Sequence, residues 1–198
     1  MCRGGNSILR RIGRIGCLIV LATGFGLWAG GRVVADETAD ALKVFRAIET
    51  IQDAAPRSAG GLRRITVGER ELNAYIAFRI DNEKEEMMKE LRFKLLGDQK
   101  LEGKLVLDLR GNKISSLLPD RATFFFAARL EAADGKARIQ LDKLFLEQQP
   151  IQPVVIDLVL LFASRKDNTV PSSLNEWIDL PIGIRELRAD KERLTALY

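Results

Sequence analysis

The 198 residues contain no histidine, and the two cysteines, Cys2 and Cys17, both precede residue 36. From Asp36 onward there is neither an imidazole base nor a thiol nucleophile. Ser-His-Asp and Cys-His catalytic sets and the His/Cys zinc patterns are removed together. The segment GDQKLEGKL, residues 97–105, has the glycines and lysine of a phosphate-binding loop, but five residues separate Gly97 from Gly103. That loop needs four, and a Ser or Thr where Leu105 stands. Glu83, Glu85, Glu86 and Glu90 offer carboxylates, yet no spacing among them selects an acid–base pair. The run DNEKEE, residues 81–86, reads as solvated surface. Asp157 lies in an apolar segment and fits two roles, a solvent-facing or capping carboxylate or a buried acid against a ligand. The expectation is a protein that is not an enzyme, with no metal and no cofactor.

Charge separates the chain into two parts. Of 31 Lys+Arg and 27 Asp+Glu, five arginines and no acid fall in residues 1–35, which leaves 26 against 27, a net of −1, in the remainder. A nucleic-acid partner needs a persistent basic field, and the body has none. Arg3, Arg10, Arg11 and Arg14 precede the apolar run 15–31, and VVA ends at Ala35. A basic segment, an apolar run and small residues before a cut make a secretory signal. At roughly 17 residues, the run is also at the short limit for a bilayer-spanning anchor. Both readings, cleavage after Ala35 or an uncleaved anchor in the inner membrane, export the body to the periplasmic or extracytoplasmic side. Cys17 ends RIGC, but a lipid-attachment cysteine follows its apolar run, whereas Leu18–Leu27 comes after this one.

The elements that position the remaining side chains follow from periodicity. Residues 36–52 have helical spacing, and with the Pro- and Gly-punctuated segment 53–61 they form an expected stalk and linker over residues 36–62. The body then runs from 63 to 198. Ile65–Val67 is extended, and Leu72, Tyr75, Ile76 and Ile80 line one helical face. From Leu91 the period becomes two: Leu91, Phe93 and Leu95; Leu101, Gly103, Leu105, Leu107 and Leu109; Ala122, Phe124, Phe126, Ala128 and Leu130. Turns fall at 97–100 and at the Asp-Gly of 133–136. The apolar phase slips by one near Asp142, which predicts a bulge. The result is an α+β chain with a curved antiparallel meander of about four strands. Residues 153–166, opened by Pro153, are the most apolar of the body and read as a helix. Ser173 and Glu176 have capping-box spacing for a short helix carrying Leu174, Trp177 and Ile178, ended by Pro181. Gly183 frees the backbone, and Ile184 opens a terminal hairpin turning at ADKE, 189–192.

Three short motifs in this order carry a resemblance: Glu71-Leu72-Asn73-Ala74, Pro150-Ile151-Gln152-Pro153, and Leu180-Pro181-Ile182-Gly183-Ile184. Over residues 65–198 the chain resembles the small exported bacterial proteins of the YpmS and LmeA type, which are similar to tubular lipid-binding (TULIP-like) domains. It departs from them at Gln152, which lengthens the proline motif. The resemblance implies a curled sheet wrapped on a long apolar helix with acyl chains between them, and it implies no catalytic residues. Leu105, Leu107, Phe124, Phe126, Leu158, Phe162 and Trp177 are then either groove or filled core, since the two look identical in one sequence. The functional expectation is extracytoplasmic binding, or transport, of a lipid or other acyl-chain ligand. The alternative is a membrane-tethered envelope accessory whose partner is another protein.

Overall fold

The structure is a computed structural model and describes residues 34–54, 61–83, 87–110, 118–155, 157 and 176–198. Residues 1–33, with both cysteines and all but the last two residues of the expected signal or anchor (1–35), lie outside the described residues. Among the described residues, no helix is long and apolar enough to cross a membrane.

Helix α1 (Val34–Ala54) is followed by strand β1 (Arg64–Gly68) and helix α2 (Glu69–Glu83). Ala41, Val44 and Ile51 are buried at helical spacing on α1, and Leu72, Tyr75, Ile76 and Ile80 on α2, as the sequence predicts for the latter. These residues share one core cluster. The helix expected to stand as a stalk is therefore a packed layer against α2. Its first turns are fastened by charge. Asp40, 3% exposed, pairs with Arg70 at 2.7 Å and Lys43 at 3.0 Å, and Lys43 reaches Glu71 at 2.9 Å. Glu71 in turn accepts the Gly68 amide at 2.8 Å, which satisfies a donor at the start of α2.

The larger sheet is the predicted meander: β2 (Met88–Gly97), β3 (Lys100–Asp108), β4 (Arg121–Ala133), β5 (Lys136–Leu146) and β6 (Gln149–Ile151) follow one another across it. It curls into an antiparallel half-barrel. Both long hairpins close through two residues at positive φ, Asp98-Gln99 (51° and 61°) and Asp134-Gly135 (53° and 73°). That twist matches the strands they join. The expected bulge is present: Ala127 faces Lys143 and Ala128 faces Leu141, so Asp142 has no opposite number.

A second sheet has the order β1-β9-β8, with β8 (Glu186–Asp190) and β9 (Arg193–Leu197) forming the terminal hairpin. The Gln99 side chain joins the two sheets. It accepts the Ala189 amide at 2.6 Å and donates to the Leu187 carbonyl at 3.3 Å.

The short helix expected around Trp177 does not form at Trp177 and Ile178. Ile178–Asp179 is a strand, β7, paired with β5 through Ala137↔Ile178 and Lys136↔Asp179. The edge of β5 needs partners for its backbone groups, and that demand overrides the helical spacing. Pro181-Ile182-Gly183-Ile184 then forms a turn, closed by the Ile184 amide on the Pro181 carbonyl at 3.0 Å with Gly183 at φ 101°. Ser173 and Leu174 of the expected capping box lie outside the described residues. Of the long apolar helix, Val154, Val155 and Asp157 are described and helical, whereas Leu158 and Phe162 lie outside the described residues.

Candidate functional site

The charged side chains assemble into structural pairs. Lys43 and Arg70 hold the Asp40 carboxyl below the usual carboxylate range, the hydrogen bond from Lys43 contributing most. The Gly68 amide and Lys43 do the same to Glu71, and those two carboxylates raise Lys43. This network fastens α1 to α2 and leaves each ion occupied by another. Glu90, one of the candidate carboxylates, pairs with Arg92 at 3.1 Å and Lys104 at 2.9 Å, while Glu85 and Glu86 lie outside the described residues. Among the described residues, no group of three or more His, Cys, Asp or Glu is placed to hold a metal ion.

The inner face of the half-barrel gathers the apolar rows, because alternate residues on neighbouring strands meet across it. One row crosses the sheet as Leu91, Leu105, Phe124 and Leu146, and the next as Phe93, Gly103, Phe126 and Leu144. A further pair, Leu107 and Ala122, lies toward the end where β3 leaves the sheet. Four of the sequence-predicted ligand residues, Leu105, Leu107, Phe124 and Phe126, therefore share one surface. They belong to a core cluster with Leu109, Ala122 and Leu144, flanked by Leu118, Leu146 and Ile151. That cluster takes no residue from α1, α2, β1, β8 or β9. The other end of the same face is filled by both helices and the terminal hairpin. Leu107 and Phe124 are buried, and Leu105 and Phe126 are half-buried.

Trp177 is not part of this face. Its ring stacks on the Arg138 guanidinium, 4.7 Å from the centroid, and Arg138 pairs with Glu131 at 2.6 Å. Arg138 alternates with Ala137 and Ile139, both of which pack into the core, so the indole sits on the outer face and is 40% exposed. Backbone pairing of β7 with β5 carries it there. Trp177→Ala is expected to cost less than about 1 kcal/mol, the worth of an exposed cation–π contact. A denaturant midpoint shifted by several times that amount would place the indole in the core instead.

Gly103 and Phe93 are the residues that sequence reasoning did not assign to the site. A Cβ built on Gly103 would lie 2.1 Å from Cζ of Phe126, so the ring tip occupies the space that any other residue would fill. Phe93 meets the same ring edge-on, with centroids 5.9 Å apart. A lone glycine inside a strand of large apolar residues is the sequence signal for such a close approach.

The fold and this face define an α+β domain whose curled antiparallel sheet carries a large apolar inner surface. Compared with protein-family models, curated proteins and solved structures, the chain matches none.

Proposed function

We propose that this chain is an extracytoplasmic, non-catalytic binder of acyl chains, of the YpmS/LmeA and tubular lipid-binding kind that its motifs resemble. The observation that carries the reading is the apolar end of the half-barrel, where four of the predicted ligand residues meet and no described helix contributes to the cluster. In this proposal residues 153–166 form the helix over that end, with Leu158 and Phe162 as its ligand-facing residues. Residues 1–35 export the body or tether it to the inner membrane. Because Phe124 is fully buried, uptake requires this end of the sheet to open. Burying methylenes at about 0.8 kcal/mol each supplies the driving force, and affinity then depends on chain length more than on headgroup.

Native mass spectrometry of the full chain isolated from membranes tests the proposal. The expected result is a bound lipid mass, and a thermal melt checks that Phe126→Asp stays folded while losing that mass. The competing reading, a tethered accessory that binds another protein, draws on two exposed aromatics of the outer face, Phe125 (42%) and Trp177 (40%). A wild-type chain that carries no lipid and takes none from vesicles would favour that reading.

A further inference from the structure

A bar of aromatic rings crosses the inner face near the junction of its two core clusters. Phe126 of β4 lies flat enough over β3 to occupy the Cβ position of Gly103, and Phe93 of β2 meets it edge-on at 76°. The two rings thus span three strands along one row. Phe126 packs against both core clusters, as do Met88 and Leu141, so the row lies where the two clusters meet. On one side, Leu95, Leu101, Ala128 and Leu130 are closed over by Tyr75, Ile76 and the terminal hairpin. On the other side lie Leu105, Leu107, Leu109 and Phe124, three inward positions counted from Gly103 along β3 to Leu109, the residue just past the strand's end. At about 7 Å per inward position, that side is roughly 20 Å long.

The bar is also held in place from outside the sheet. Asn73 bonds both backbone groups of Phe93, donating to its carbonyl at 2.7 Å and accepting its amide at 2.8 Å. One turn earlier on α2, Glu69 accepts the Leu95 amide at 2.6 Å. The spacing of four residues on a helix matches two residues on a strand, about 6 against about 7 Å, so α2 grips this part of β2 without distortion. Phe93 cannot slide along the sheet while Asn73 holds it, and Phe126 is wedged between Phe93 and the Gly103 backbone.

We infer that the Phe93–Phe126 bar is the closed end of the acyl site and sets the longest chain the site accepts. The inference rests on the acyl-binding reading above. Once this buried end of the sheet has opened, a chain laid on the face from Leu109 toward Gly103 ends against the bar, because the space beyond it is filled by side chains of both helices. Phe126 and Phe93 are the length-determining residues, and Asn73 and Glu69 position them.

Displacement of a fluorescent fatty acid from the full-chain protein by straight-chain fatty acids of increasing length tests this. The wild type is expected to bind about fourfold tighter for each added methylene, up to a length beyond which affinity stops rising. Phe126→Ala is expected to move that limit outward by about two to four carbons, the room a phenyl ring vacates. Phe93→Leu, a milder change, is expected to move it in the same direction and serves if the alanine variant does not fold. Asn73→Ala is expected to blur the limit, spreading the point at which affinity stops rising over several chain lengths. Wild-type and variant limits at the same length would overturn the inference while leaving acyl binding intact. Failure of the wild type to bind any chain would remove the acyl reading itself, and this inference with it.

Discussion

Tyr75→Ala is expected to remove about 3–5 kcal/mol of stability, the range for truncating a large buried aromatic. Tyr75 is 1% exposed at the seam between the two helices, with the ring of Phe45 edge-on at 4.9 Å. Its hydroxyl accepts Nη1 of Arg79 at 3.0 Å, and Arg79, 7% exposed, also lies 5.8 Å from the ring centroid. The truncation therefore opens a cavity and takes a hydrogen-bond acceptor from a buried cation. A domain of this size has only about 5–15 kcal/mol in hand, so much of the population would unfold under mild denaturant. Tyr75→Phe keeps the ring and gives up the hydroxyl, and its expected cost is near 1 kcal/mol. Urea midpoints of the two variants measure the difference. Amide exchange along residues 34–54 should rise in Tyr75→Ala, because α1 packs on the domain through this seam. Wild-type exchange in α1 with a small midpoint shift would mean that α1 is a detached stalk after all.

Local chemistry made much of the larger sheet legible. Asp134-Gly135 needs positive φ and Gly is suited to it; the phase slip at Asp142 moved every later apolar residue to the other parity, which only an unpaired residue explains. Leu72, Tyr75, Ile76 and Ile80 stand four or fewer residues apart, so one face of α2 could be read directly. What escaped was non-local. Arg64 pairs with Leu197, and nothing in either segment encodes the other's position. The terminal hairpin and the extended Ile65–Val67 could each be read locally, but not that they join in one sheet. Leu174, Trp177 and Ile178 have honest helical spacing, yet the exposed edge of β5 recruits Ile178 as a strand partner. Local preference is a weak prior against a tertiary hydrogen-bond demand.

The candidate site was legible to the same depth. Alternation correctly put Leu105, Leu107, Phe124 and Phe126 on a single face, because the pleat has a period of two. It carried no information about what lies over each row. The helices cover the row of Leu95 and Leu101 but contribute nothing to the cluster of Leu107 and Phe124, and that division depends on how α1 and α2 dock. Trp177 was assigned through the short helix expected to carry it with Leu174 and Ile178. Its true position follows from β7 pairing, which turns the indole outward onto Arg138.

Gly103→Val is expected to destabilise the domain by about 2–3 kcal/mol, in the upper range for overpacking a filled core. The direction is not set by the backbone. Gly103 is not among the positive-φ residues, and valine in a strand interior is normally favoured over glycine by about 0.5–1 kcal/mol. The opposing effect is steric and larger. Three atoms of the Phe126 ring, Cζ, Cε2 and Cε1, would lie 2.1, 2.5 and 2.6 Å from the new Cβ, and all must move. The ring has little room, since Phe93 meets it edge-on and the Asn73 side chain pins the Phe93 backbone. Removing the obstruction should reverse the sign. In a Phe126→Ala background, Gly103→Val is expected to be neutral or stabilising by up to about 1 kcal/mol, as the strand gains a β-branched side chain with space to occupy. A double-mutant cycle of denaturant midpoints reads this coupling, expected to exceed about 2 kcal/mol, within the range for residues in direct contact. Additive effects would mean that the ring does not rest on Gly103. The bar across the inner face would then lose its footing, and Gly103 would be tolerated in the strand for some reason other than the close approach of Phe126.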